Sequence, residues 1–235
     1  NVLQTSGDAI YLGRHVGLRA GIPKNVPGLT INRLCGSGFQ AVVTAAQEIL
    51  TGQAETVLCG GAESMSQAPH IIRGARWGLR LGKAPMTDAL WECLYDPVAD
   101  IAMGGTAENL AKKYDISRED ADEYSALSQQ RLATAQECGW LDAELTSVTV
   151  KSRKGDTVLS KDEYNRPGTT VESLAKLRPS FGKEGIITAG NASGISDGAG
   201  AMILTTADKA GARGWTPLAR LVSWGVHGCE PNLMG

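Results

Sequence analysis

The feature that most constrains this chain is a helical period handed straight to a strand. Phe39, Val42, Val43, Ala46, Ile49 and Leu50 fall at the i, i+3, i+4, i+7 spacing of an amphipathic helix. Gly52 ends the period. Residues 55–59 (ETVLC) follow as a short apolar run of buried-strand type, closed by Gly60 and Gly61. The same alternation precedes it: residues 8–20 read as a helix with Asp8 as N-cap and Gly21 and Pro23 as stop signals, and residues 29–34 as a short strand. Helix, strand, helix, strand with short links predicts parallel strands packed between helices, an α/β fold.

The pattern changes near residue 64. The next thirty residues carry turn formers and no clean period, and Arg73, Arg76, Arg80 and Lys83 make the stretch basic. Residues 106–139 return to helix, with Ser117 as N-cap and Asp120 at N3, close to a capping box. Residues 151–185 are polar and loop-rich, part of an excursion from the αβ core and not a linker between independent domains. "TAGNASGISDGAGAMILTT" (188–206) returns to glycine-rich turns and an apolar strand at 201–204, and residues 217–226 read as a further strand opening another αβ unit.

A chain of 235 residues can bury a full-sized core. Its 42% hydrophobic and 20% charged residues are an ordinary globular composition. A net charge of −2 gives no reason to expect nucleic acid or an anionic membrane as partner, and no uninterrupted apolar segment is long enough to span a bilayer. The first residues, NVLQTSGDAIY, have neither a basic n-region nor an apolar h-region. They read as an entry at the end of a strand, so residues are expected before Asn1. Five widely spaced cysteines with no CxxC pair argue against a disulfide framework or a structural zinc site. They point to a reducing compartment, read as the cytoplasm with the mitochondrial matrix as the alternative.

Chemistry gathers at "INRLCGSGFQ" (31–40), where Cys35 stands at the strand-to-helix handover with glycines at 36 and 38. A thiol's pKa of about 8.5 falls at a helix N-terminus, where unpaired N–H groups and the helix dipole favour the thiolate. The glycines would admit a substrate carbonyl, and the Cys35 N–H would serve an oxyanion hole. The competing reading is a buried small hydrophobe, the common fate of a free cysteine. Cys59, Cys93, Cys138 and Cys229 lack such a context and read as structural. His15, His70 and His227 are the only histidines, and none has neighbours that mark a catalytic base. The turns of "AGNASGISDGAGA" either cradle a phosphate or amide through backbone donors or simply pack tightly.

Five stretches carry a family resemblance: "NRLCGSGFQA", "GGAESMSQAPH", "MGGTAENLAKKYDISRE", "KLRPSFGKEGIITAGNASGISDGAGA" and "PLARLVSWGVHGCEPNLMG". Together, in this order and over essentially the whole chain, they resemble the thiolases, the acetyl-CoA acetyltransferase and 3-ketoacyl-CoA thiolase family. The resemblance implies a layered α/β/α/β/α sandwich of two similar halves with a loop domain inserted in the first. The division it implies is a core at 1–64, the inserted loop domain at 65–190, a return to the core at 191–214, and the start of the C-terminal half at 215–235. It implies an acyltransferase that condenses two acyl-CoA molecules or cleaves 3-ketoacyl-CoA with CoA. Cys35 matches the acyl-accepting nucleophile. Ser193 matches the residue meeting the pantetheine of CoA, Phe181 and Met103 match that tunnel's lining, Arg166 and Ser173 positions near the nucleotide end, and Met234 one near the acyl pocket. Coenzyme A enters as substrate and product, with no other cofactor or metal, and family members are homodimers or homotetramers.

Two departures qualify the match. Ala102 stands where acetoacetyl-CoA-specific members have a histidine before "MGG", which favours the broader 3-ketoacyl-CoA branch. The family's Asn-Glu-Ala-Phe, Gly-His-Pro and second catalytic cysteine motifs do not occur in these residues. The expectation is therefore a thiolase chain without the C-terminal catalytic part, set against a non-catalytic CoA-binding or oligomerisation module. A redox-sensing cysteine protein is the remaining alternative, and the lack of a resolving cysteine nearby argues against it.

Overall fold

The 39–50 period becomes a helix that starts at Ser37, so Cys35 stands just outside its first turn. In this computed structural model, which describes residues 1–82 and 84–234, the first elements are α1 (Leu12–Arg19), α2 (Ser37–Leu50), β1 (Thr56–Ser64), β2 (His70–Ile71), β3 (Thr87–Asp88), α3 (Ala89–Leu94) and β4 (Tyr95–Asp96). There follow β5 (Ile101–Ala102), α4 (Met103–Lys113), α5 (Arg118–Glu137), β6 (Val148–Val150), β7 (Thr157–Leu159), α6 (Val171–Leu174), β8 (Asp197–Thr205) and α7 (Ala207–Ala212). Lys83, counted above in the basic stretch, lies outside the described residues. The chain divides into two compact units. The first is Asn1–Pro97 with Ile195–Gly228; the second is Val98–Gly194 with the segment from Cys229. Residues 65–97 thus group with the first unit.

In the first unit β1 and β8 pair along nine residues, from Thr56 opposite Thr205 to Ser64 opposite Asp197. The pair is antiparallel, where the helix–strand alternation predicted parallel neighbours. The reason is connectivity: the partner of β1 is not the next strand along but the one that returns after the excursion. Gly60 and Gly61 do not close β1, which runs on to Ser64. Gly60 permits close approach instead. A Cβ on Gly60 would lie 2.1 Å from the Gly200 carbonyl oxygen, and one on Gly61 would touch the Cα of Gly38 at 3.8 Å. Buried Ala45, Ala46 and Cys59 line the seat of α2 on this pair.

Two predicted strands are absent. Residues 29–34 belong to no strand, because their loop is tied to α1. Gly13 N–H donates to Thr30 Oγ1 at 3.0 Å, and the Arg14 guanidinium donates to the carbonyls of Lys24, at 2.7 Å, and Val26. Residues 217–226 also form no strand; they are exposed, and pair with nothing among the described residues. The predicted first helix begins as a 3-10 turn, Ala9–Tyr11, and the Asp8 side chain caps no N–H. It accepts from Ser6 Oγ at 2.7 Å and pairs with Arg19 at 3.1 Å.

In the second unit the 106–139 helix divides at Asp115, whose φ of +53° breaks the helical run between α4 and α5. The Ser117–Asp120 capping box is complete: Asp120 N–H donates to Ser117 Oγ at 3.0 Å, and Ser117 N–H to Asp120 Oδ2 at 2.9 Å. The loop-rich stretch begins at the turn of the antiparallel β6–β7 hairpin and holds, at α6, a second capping box between Thr170 and Ser173. Among the described residues no helix is long and apolar enough to cross a membrane.

Candidate active site

Cys35 sits at an elbow whose geometry is fixed by its neighbours. Leu34, immediately before it, has φ +47°, in the left-handed region that costs a non-glycine residue roughly 1–2 kcal/mol. Strain of this kind persists only where the surroundings over-determine it, and it clusters at functional sites. Asn32 Oδ1 accepts the Leu34 N–H at 2.8 Å. Buried Ser37 bridges the bend, its Oγ accepting from Arg33 N–H at 2.8 Å and donating to the Leu34 carbonyl at 2.6 Å. The result is an exposed thiol turned out at the start of α2. Within these residues Cys35 is exposed, unlike the buried Cys59. Here the bend enters the helix from a loop and not from a strand, but a sharp, strained turn ahead of a helix also carries the nucleophile in elbows of unrelated enzymes.

Cys59 is buried, and burial pushes its thiol up, as a packing role requires. Cys93 is more informative than its sequence context. Burial pushes its thiol up, and so do the charges of Glu63, Glu92 and Cys35, which places it in the neighbourhood of the elbow. The sequence reads Cys93 as structural because it lacks the glycine-helix context of Cys35, and its proximity to the elbow comes only from the fold. Among the described residues no hydrogen bond links a histidine to Cys35. His15 lies beside Asp8, with Nδ1 at 3.6 Å, and stacks on Tyr11; His70 is on β2 opposite Asp88.

The remaining predicted site residues all belong to the second unit. Met103 opens α4, and the Phe181 ring lies against the next residue, since a Cβ on Gly104 would fall 2.1 Å from it. Met103 and Phe181 are thus brought together, with Gly104 as the enabling position. Met234 follows a 3-10 turn, Pro231–Leu233, that α4 holds through Asn109 Nδ2, which donates to the Asn232 carbonyl at 2.9 Å. Arg166 is exposed, and its backbone N–H donates to Gln129 Oε1 at 2.8 Å. The Ser173 hydroxyl belongs to the α6 capping box, donating to the Thr170 carbonyl at 2.7 Å. Ser193 is exposed, beside Gly194, where a Cβ would fall 2.2 Å from the Tyr164 ring. Tyr164 went unnoticed in the sequence because no local pattern connects residues thirty apart.

The thiolase N-terminal domain family matches residues 1–208. The mitochondrial 3-ketoacyl-CoA thiolase of Bos taurus is 55% identical over 236 residues, covering 100% of this chain and 59% of the relative. The beta-ketothiolase BktB of Cupriavidus necator is 48% identical and is covered over 60% of its length. The crystal structure of human mitochondrial 3-ketoacyl-CoA thiolase matches with a TM-score of 0.94 at 53% identity, over 99% of this chain and 59% of that one. The human enzyme in complex with CoA matches at 0.93. This chain therefore spans about three-fifths of the length of the relatives it matches. The α/β fold, the elbow and the extent of the match agree: the chain belongs to the thiolase family.

Proposed function

We propose that the protein carrying this chain is a thiolase acyltransferase, with Cys35 as the residue that takes the acyl group. The exposed thiol on the braced elbow carries this reading. In the cleavage direction, the Cys35 thiolate attacks the C3 carbonyl of a 3-ketoacyl-CoA. The C2–C3 bond breaks, the shortened acyl group stays on sulfur, and the enolate of acetyl-CoA takes up a proton. The CoA thiol then attacks the acyl-cysteine, releasing the shortened acyl-CoA and regenerating the thiolate. The two halves make a ping-pong cycle, and their reversal is the Claisen condensation.

Ser193, Phe181 and Met103 are proposed to hold the pantetheine arm, Arg166 and Ser173 to lie toward its nucleotide, and Met234 toward the acyl chain. The solved CoA complex of a 52% identical relative supports CoA as the ligand. Ala102 before Met103 supports the broader 3-ketoacyl-CoA specificity, and the mitochondrial relatives support a mitochondrial setting over a cytoplasmic one. Assembly as a homodimer or homotetramer is proposed on the resemblance alone. The test is intact-mass spectrometry after mixing with an acyl-CoA. The expected result is an acyl adduct on the protein that disappears in Cys35→Ser, because an alkoxide is far harder to form than a thiolate at neutral pH. An undiminished adduct in the variant overturns the assignment.

A further inference from the structure

Two carboxylates in the second unit are buried, and the chemistry above uses neither. Asp122, on α5, is 1% exposed; Glu108, on α4, is 8% exposed. A buried carboxylate is costly unless its oxygens are fully engaged. Both are engaged on one short segment. Glu108 accepts the backbone N–H groups of Ile186, at 2.9 Å, and Ile187, at 2.8 Å. Asp122 accepts from Arg118 Nε at 2.7 Å and, through its other oxygen, from Asn191 Nδ2 at 2.9 Å.

Asn191 is the hub of the turn that follows. Its Nδ2 also donates to the Ile186 carbonyl at 2.9 Å, and its Oδ1 accepts from the Thr188 N–H at 2.7 Å. The Thr188 carbonyl accepts from Ala192 N–H at 3.1 Å, and Thr188 itself is fully buried. One residue further the chain emerges at exposed Ser193. The geometry points to Asp122, acting through Asn191, as a positioning residue for Ser193, fixing where its hydroxyl meets the pantetheine arm. An apolar contact can stabilise a turn but, being non-directional, does not set its orientation. Directional hydrogen bonds from a buried carboxylate do, and a misplacement of about 1 Å at a binding group costs up to roughly a hundredfold in rate. The inference rests on the CoA reading of Ser193 and extends it.

The experiment measures acylation of Cys35 in the protein carrying this chain by two donors, an acyl-CoA and the methyl thioester of the same acid, which has no pantetheine. Asp122→Asn puts an amide N–H₂ or a weaker acceptor against the Asn191 and Arg118 donors. It is expected to lower kcat/KM for the acyl-CoA about tenfold, with the methyl thioester rate unchanged. Asn191→Ala is the second variant, with the same expectation, and Ser193→Ala is the reference. A parallel fall with both donors in both variants means a merely structural role and overturns the inference. A fall in Ser193→Ala but in neither Asp122→Asn nor Asn191→Ala overturns the inference and leaves the CoA reading standing. No fall in Ser193→Ala overturns the CoA reading itself, and the inference with it.

Discussion

The Cys35 elbow and the Ser193 turn are both exposed points on anchored loops, but they are anchored by different means. The elbow is held locally. Asn32 and Ser37 lie within three residues of Cys35, and the bend passes through Leu34 at positive φ. The turn is held from a distance. Glu108 and Asp122 reach it from two helices, across 78 and 69 residues of sequence. A local brace places a single atom with little dependence on the rest of the fold, which suits a nucleophile. A remote brace couples a binding loop to the helices that support it, so its disruption is felt in stability as well as in binding.

The largest effect expected from that contrast is at Glu108. Replacing it by alanine leaves the Ile186 and Ile187 N–H groups without their acceptor in a half-buried setting. At about 1–3 kcal/mol for each unsatisfied group, the loss of stability is roughly 2–6 kcal/mol, measurable by denaturant unfolding. A change below about 1 kcal/mol would show that the turn is not held from α4. At the elbow, Ser37→Ala removes two hydrogen bonds of a buried hydroxyl. It is expected to cost about 1–2 kcal/mol and to slow acylation of Cys35 more than Glu108→Ala does. Equal slowing by both variants would erase the distinction between the two kinds of brace.

Leu34→Gly probes the strain itself. Glycine relieves about 1–2 kcal/mol of left-handed cost but adds unfolded-state entropy of about 0.4–1 kcal/mol. The expected change is therefore a stabilisation of at most about 1.6 kcal/mol, while the freed bend slows acylation. Unchanged stability with unchanged acylation would mean that Asn32 and Ser37 alone set the elbow.

This contrast also explains what could be read from the sequence. Local features were legible: the α2 period, the Ser117–Asp120 capping box, and Cys35 just ahead of α2 with glycines at 36 and 38, although no strand precedes it. Each is written in residues a few positions apart. Features that depend on remote partners were not. The antiparallel return of β8 onto β1 is set by a connection of more than a hundred residues, and Gly60-Gly61 looked like a stop because the Gly200 carbonyl that demands it is elsewhere in the chain. Residues 29–34 and 217–226 have β-forming composition, but a strand needs a neighbour, and the first of them is tied to α1 instead. Leu34, Asn32 and Ser37 were overlooked for another reason: backbone strain leaves no mark in residue type when the residue is leucine. The resemblance named Ser193, Phe181 and Met103 as expectations, but not Asp122, Asn191 or Gly104, whose contacts with them or with neighbouring residues come from the fold.

The smallest effect expected is a pH-dependent one on the elbow's own unit. Asp197 begins β8 and ties it to the end of β1. Its carboxylate accepts from Ser66 Oγ–H, from Ser66 N–H at 2.9 Å and from Ser64 Oγ at 3.1 Å. The Ser66 hydroxyl, followed by the Ser66 N–H, holds its carboxyl below the usual carboxylate value. A depressed folded-state value means that the unfolded chain binds the proton first. The stabilisation is thus fully present above the unfolded pKa of about 3.9 and is lost as the pH falls through the lower folded value. Solvent exposure keeps it small. Asp197→Asn is therefore expected to lower the unfolding midpoint slightly at pH 7, with the difference from wild type shrinking as the pH falls through the lowered folded value. Because Asp8 and Asp120 titrate in both proteins, only the difference reports on Asp197. A gap that does not shrink at all on acidification below the unfolded pKa of about 3.9 would assign the tie to packing of the Asp197 side chain and not to its charge.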